Sequence, residues 1–171
     1  MVEIVPIDAG HIESFHRTLD RVARERRYLS FVAAPPLEST RAFILNSIAE
    51  GYPQFVVLSA GEVVGWCDVT PKSGPIDARI GVLGMGLLPQ FRHQGIGTRL
   101  ISRVLEAARV YGFARVELAV YRSNANAIRL YEKAGFVIKA VEPSEACPEE
   151  IDKTRLVMAL ALERPGHAPP R

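Results

Sequence analysis

Apolar and polar residues alternate along the chain in two distinct periods. Val2, Ile4 and Pro6 alternate with Glu3 and Val5, which predicts a strand over about 2–7. From 9 to 28 the spacing lengthens, with Ile12, Phe15, Leu19, Val22 and Ala23 three or four apart, and predicts a helix. Its far end is basic, with Arg21, Arg24, Arg26 and Arg27 around Glu25. Pro35-Pro36 breaks the chain, and 38–49 reads as a second helix closed by Gly51 and Pro53. A β-hairpin follows: 54–59, a turn at Ala60-Gly61-Glu62, and 63–69.

After a loop at 70–76, a strand over 78–88 carries Gly81, Gly84 and Gly86 and ends at Pro89. Gly95 opens a helix to about Tyr111, where Ile96, Leu100, Ile101, Val104, Leu105 and Ala108 form one apolar face and Gly112 stops it. Then come a strand (114–121), a short helix (124–133) stopped by Gly135, and two strands (136–141 and 154–162). A parallel strand–helix–strand crossover flanked by antiparallel hairpins predicts a mixed α/β fold with helices on both faces of one sheet. Residues 1–163 make a single domain, with 164–171 as a flexible, proline-rich tail.

The 171 residues (18.8 kDa) suffice to bury ~70% of the unfolded surface without a metal or disulfide. Hydrophobic residues at 48% and charged ones at 23% exclude disorder of the whole chain. The longest apolar runs, Val82–Leu88 and Leu156–Leu162, are far short of the ~20 residues of a membrane helix. The start lacks the basic-then-apolar order of a secretory signal, so a cytoplasmic protein is expected. Cys67 and Cys147 offer neither zinc spacing nor a disulfide framework, and Cys67 reads as a buried thiol. A net charge of +2 does not suggest a nucleic-acid partner.

Candidate chemistry concentrates after the glycine-dotted strand. Arg92-His93-Gln94-Gly95-Ile96-Gly97 joins it to the periodic helix. Glycines there turn the backbone sharply and expose unpaired amides, and a helix N-terminus favours phosphate. A plain tight turn would use the same residues. A dinucleotide fingerprint would want Gly or Ala at Leu100, and a P-loop would want Gly-Lys-Ser/Thr; neither is present. Leu87-Leu88-Pro89 closes a strand whose glycines weaken pairing, through either a bulge or a simple bend. Downstream, Asn124 caps a helix that carries Tyr131 seven residues later.

Together, Leu87-Leu88-Pro89, the Arg92–Gly97 loop and the string Asn124–Phe136 resemble the GNAT superfamily of N-acetyltransferases. The motif stretch covers about a third of the chain, and the element order agrees over nearly all of it. The wording around Gly-Met-Gly and Gly-Trp-Cys-Asp is similar to a bacterial branch acting on small molecules or amino acids. The resemblance implies a mostly antiparallel, twisted sheet of about six or seven strands, splayed in the middle, with about four helices. It implies acetyl-CoA as cosubstrate and no metal. Backbone amides of Gln94, Gly95, Ile96, Gly97 and Thr98 would hold the pyrophosphate, aided by Arg92 and Arg99. Leu87 and Leu88, before Pro89, would pair with the pantetheine arm, Asn124 would bond the cofactor, and Tyr131 would protonate the departing thiolate.

The base is less determined. Some relatives carry glutamate where this chain has Val82 or Ala119. Glu117, on the same strand face as Ala119, is a candidate base; Asp68 and a water chain are others. A lysine-type amine of pKa about 10.4 costs about 4 kcal/mol to neutralise near pH 7.4, an α-amine under ~1 kcal/mol. The expected acceptor is therefore a small molecule with a low-pKa primary amine. By resemblance, the first two helices form its wall, with Arg24, Arg27, Tyr28 and Asp68 as candidate contacts; Glu145, Glu149, Glu150 and Asp152 could instead attract a cation. An acyl-CoA-binding sensor without turnover, or acetylation of a protein N-terminus or lysine, are the alternatives. A homodimer is expected.

Overall fold

The computed structural model describes residues 1–73, 79–143 and 153–162. Its strands are β1 (Val2–Pro6), β2 (Gln54–Ser59), β3 (Glu62–Pro71), β4 (Ile80–Leu87), β5 (Arg115–Tyr121), β6 (Val137–Glu142) and β7 (Arg155–Ala161). They form one seven-stranded sheet in the order β1-β2-β3-β4-β5-β7-β6, antiparallel except between β4 and β5. The helices are α1 (Ile12–Arg24), α2 (Leu37–Glu50), α3 (Ile96–Tyr111) and α4 (Ala125–Lys133). The predicted mixed, mostly antiparallel sheet with helices on its faces is what forms.

Two faces organise the core. Phe55 on β2 lies beneath the Arg103 guanidinium of α3, 5.3 Å away, and is the register partner of Cys67 on β3. Trp66, the next residue along β3, instead meets Phe15 of α1 edge-on at 5.5 Å. Alternation along the strand therefore sends Cys67 and Val69 to the α3 face, and Trp66 and Asp68 to the α1 face. The apolar stripe of α3 is buried as its spacing predicts: Ile96, Leu100, Ile101, Val104, Leu105 and Ala108.

The sheet parts in its middle. β4 pairs with β5 only at Ile80–Arg115, Gly81–Val116 and Val82–Glu117. Beyond these, β4 stays with β3 as far as Leu87–Gly65, and β5 stays with β7 as far as Tyr121–Arg155. The edge of β4 from Leu83 to Leu87 is thus left without a strand on the β5 side.

Several predicted boundaries move. The first helix stops at Arg24, not near 28, because Arg26 adopts a left-handed backbone (φ 57°). The chain then turns so that Glu25 and Tyr28 reach Arg92. His16 bonds the Pro35 carbonyl (2.8 Å) and the Ala34 amide donates to Asp20 (3.0 Å), tying the α1–α2 connection back onto α1. β3 runs to Pro71, two residues past its predicted end, because Thr70 and Pro71 still face Val82 and Gly81. The expected tail at 164–171, Cys147, the acidic residues Glu145, Glu149, Glu150 and Asp152, and part of the 70–76 loop lie outside the described residues. Among the described residues no helix is long and apolar enough to cross a membrane, and no group of three or more His, Cys, Asp or Glu could hold a metal.

Candidate active site

A cleft of about 510 Å³ lies along the β4 edge that β5 leaves free. Met85, Gly86 and Leu87 of the free β4 edge line it, with Gly95, Gly97 and Thr98 at the start of α3. Asn124, Ala127, Leu130 and Tyr131 close it from α4, and Val22 and Tyr28 from the α1 side. The cleft therefore runs through the sheet from one helical layer to the other.

The start of α3 is shaped for an anion. Gly95 caps the helix in the left-handed region (φ 76°), where a Cβ would be strained. The Arg99 amide bonds the Gly95 carbonyl at 3.2 Å, so the amides before it have no carbonyl within the helix. Gly97 keeps the cleft open: a Cβ there would stand 3.2 Å from Leu130. Arg129 and Lys133 add positive charge around the opening, which His93 also lines. Unpaired amides, basic side chains and a free strand edge along one channel fit a pyrophosphate joined to an extended amide chain.

Arg92 lies against this cleft but is committed elsewhere. Its Nη1 and Nη2 donate to Glu25 at 2.9 and 2.6 Å, and its Nε donates to the Leu87 carbonyl at 2.8 Å. The guanidinium also stacks on Tyr28, 4.8 Å from the ring centre. It fastens the end of α1 to the end of β4. Arg99 is exposed and does not line the cleft, and Gln94 turns its side chain to the Gln90 carbonyl (2.8 Å).

The other predicted residues divide similarly. Leu87 lines the cleft, whereas Leu88 is 2% exposed in the core and gives its amide to the Val64 carbonyl. The free edge for pairing thus lies at Leu83–Leu87, earlier than the Leu87-Leu88 string suggests. Pro89 is exposed and Ile96 is buried in the core. Asn124 accepts the Ala127 amide through Oδ1 (3.2 Å) as the cap of α4, and it also lines the cleft. Tyr131 is buried against Phe136 and lines the cleft; burial, with Cys67 close by, holds its hydroxyl well above the ordinary tyrosine range. Of the acceptor candidates, only Tyr28 reaches the cleft. Arg24 is exposed and paired with Asp20 (2.7 Å), and Arg27 is exposed.

A family model for the Acetyltransferase (GNAT) family matches residues 19–136, a span that includes the α3 loop, Asn124 and Tyr131. The chain belongs to the GNAT family of acetyltransferases. This GNAT chain is 38% identical over 91 residues to an N-alpha-acetyltransferase of Sulfurisphaera tokodaii, covering 48% of this chain and 54% of that protein. It is 28% identical over 90 residues to the L-amino acid N-acetyltransferase AaaT of Escherichia coli, covering 52% and 56%. Matches of this kind span roughly half the length of each curated relative. In fold, it superposes on a phosphinothricin acetyltransferase from Sinorhizobium meliloti in complex with acetyl-CoA (TM-score 0.86, 17% identity, 99% of this chain and 93% of that one).

Two carboxylates of this GNAT domain were candidate bases, and the structure separates them. Glu117 takes Lys72 Nζ at 2.6 Å and Arg115 Nη2 at 2.7 Å, and the Lys72 hydrogen bond above all holds its carboxyl below the usual range. Like Asp68, it is not among the residues that line the cleft. Asp68 is buried on the α1 face, and burial pushes its carboxyl up to about 7. Nearby on β2, both amide atoms of buried Gln54 lack a hydrogen-bond partner. Sequence reasoning passed over Met85, Gly86, His93, Arg129 and Lys133 at the cleft. Arg129 and Lys133, four apart on α4, were readable as one helix face.

Proposed function

We propose that this protein is an acetyl-CoA-dependent N-acetyltransferase that acetylates a primary amine of a small molecule. The observation that carries the reading is the cleft along the free β4 edge, which runs from the α3 N-terminus past Tyr131 to the α1 side. The amides of Gly95–Thr98, with His93, Arg129 and Lys133, bind the diphosphate. The Leu83–Leu87 edge and Asn124 hold the amide-bearing arm.

Acetyl-CoA supplies an activated carbonyl with a thiolate leaving group. The chain positions that carbonyl near Tyr131, whose hydroxyl keeps its proton at any working pH and donates it to the leaving sulfur. The small-molecule acceptor is supported by the likeness to an amino-acid acetyltransferase. A homodimer is part of the proposal: β6 is an edge strand that exposes Val137, Ile138 and Val141.

Calorimetry with acetyl-CoA, followed by thiol release over an amine panel, tests the reading. Binding with turnover of small α-amines is expected. Binding without thiol release would make the chain a sensor, and release only with peptide acceptors would move the acceptor to a protein N-terminus or lysine.

A further inference from the structure

We propose that Asp68 takes the proton from the acceptor amine, on the opposite face of the sheet from Tyr131. The assignment rests on the acetyltransferase reading above and supplies the base that the reading lacks.

Three strands place the carboxylate. Gln54 on β2, Asp68 on β3 and Gly84 on β4 are consecutive register partners, so they form a row across the sheet toward the gap. The carboxylate leans along this row: a Cβ built on Gly84 would stand 3.7 Å from its Oδ1 and 3.9 Å from its Oδ2. Asp68 does not itself line the cleft; Gly84, which stands between it and the free β4 edge just beyond Val82, has no side chain to separate the two. Asp68 is 8% exposed, and among the described residues no donor bonds its carboxylate. Buried polar groups ordinarily find partners, so an unpartnered carboxylate beside an unpartnered Gln54 amide marks a place for a polar ligand.

Among the described residues, Asp68 is the one buried carboxylate. On this side of the parting strands Val82, Gly84, Gly86 and Ala119 have no titratable group, and Tyr121, at the end of β5, carries a phenol and no carboxylate. Glu117 is tied to Lys72 and Arg115. Asp20 on α1 is paired with Arg24, Glu25 just past the end of α1 with Arg92, and Glu38 on α2 with Arg41; His16 of α1 bonds the Pro35 carbonyl and Glu13 is exposed. Cys67, next to Asp68, points to the α3 face, where it adjoins Tyr131. The carboxyl is raised by burial alone, to about 7, which suits a base working near neutral pH.

The step balances in protons and electron pairs. The ammonium gives one proton to the Asp68 carboxylate, which later releases it to solvent. The freed nitrogen lone pair forms the bond to the acetyl carbonyl carbon, and the C–S bond breaks with its electrons on sulfur. Tyr131 protonates the thiolate and regains a proton from the acylated nitrogen, which keeps one hydrogen as an amide. A base titrating near 7 reaches an α-amine of pKa about 8 far more readily than a lysine amine of about 10.4. Small α-amines are therefore the matching acceptors.

The test compares the full chain with Asp68→Asn. We expect unchanged acetyl-CoA binding by calorimetry and a kcat/KM for an α-amine lowered ~10²-fold or more near pH 7.5. The acidic limb of the kcat/KM profile near pH 7 should vanish, leaving a rate that follows the amine's own ionisation. In carboxyl NMR of the unliganded protein, one aspartate should titrate between about pH 6 and 8 and be missing in the variant. An Asp68→Asn enzyme with the original rate and acidic limb overturns the assignment, as does an unaltered protein with no aspartate titrating in that range. Failure of the unaltered protein to bind acetyl-CoA would instead overturn the acetyltransferase reading, and the assignment with it.

Discussion

Arg92 and Glu25, sixty-seven residues apart, close a two-pronged ion pair that joins the end of α1 to the turn after β4. Both side chains are about four-fifths buried, so the pair is shielded from solvent and salt far better than a surface bridge. Its third tooth, Arg92 Nε on the Leu87 carbonyl, fixes the end of the β4 edge that borders the cleft. An arginine that looks from its neighbours like a phosphate ligand is thus mainly a fastener.

Removing one partner strands the other charge. Glu25→Gln and Arg92→Gln should each lower stability by about 1–3 kcal/mol, somewhat less than breaking a fully buried pair. Urea unfolding reads this directly, and an unchanged midpoint in both variants would contradict it. Arg129→Gln with Lys133→Gln should leave the midpoint within about 0.5 kcal/mol, yet weaken coenzyme A binding and flatten its salt dependence. If Arg92→Gln alone flattens that dependence, the division of labour is wrong.

Tyr131→Phe keeps the ring and its edge contact with Phe136, 5.9 Å between centroids. Acetyl-CoA affinity should therefore stay within about threefold while kcat falls ~10²-fold or more, the usual size of a lost general acid. Because burial and the nearby Cys67 raise the tyrosine's ionisation, no alkaline limb below about pH 10 should come from it. Undiminished kcat would remove the hydroxyl from the reaction.

Much of this was legible in the chain. The stripe from Ile96 to Ala108, the hairpin around Gly61 and the Asn124 cap are local signals, and local signals survive folding. What was not legible depends on pairs brought together over long separations. Nothing near Arg92 in sequence announces Glu25. Leu88 looks like its neighbour Leu87 until β3 takes its amide at Val64. The parting of β4 from β5 was foreseen from glycines and family likeness, but its starting point, after Val82 and Glu117, is set by register. Asp68 stands in an apolar strand run, yet only the three-strand row shows which way it leans.

Glu117→Gln tests the other carboxylate. With Lys72 and Arg115 on it, Glu117 stays ionised well below neutral pH and is a weak proton acceptor there. The variant should keep kcat/KM within about threefold and retain the acidic limb near pH 7. Its cost should appear as lost stability, about 1–2 kcal/mol, because two cations lose their anion at a site that is 13% exposed. Disappearance of the limb in this variant would return the base to β5.

The burial of Asp68 also sets how stability depends on pH, whatever the chain acetylates. In the folded chain its carboxyl holds a proton up to about pH 7, against 3.8 as the ordinary value. Between those limits the folded state binds more protons than the unfolded state, so unfolding free energy falls as pH rises and levels off above about 7. This is the reverse of the slope from a salt-bridged carboxylate such as Glu117, whose contribution is lost as pH falls through its lowered value. Asp68→Asn lacks the proton and the slope, while the chain's other titrations cancel in the comparison. The two proteins should be about equally stable below pH 4, with the Asn variant ahead above pH 7 by up to roughly 4 kcal/mol. Urea midpoints at pH 4, 5.5 and 8 measure the divergence. A stability difference that stays constant across those three values would mean that the carboxylate is solvated in the folded chain, and its place in the row with Gln54 and Gly84 would lose its chemical meaning.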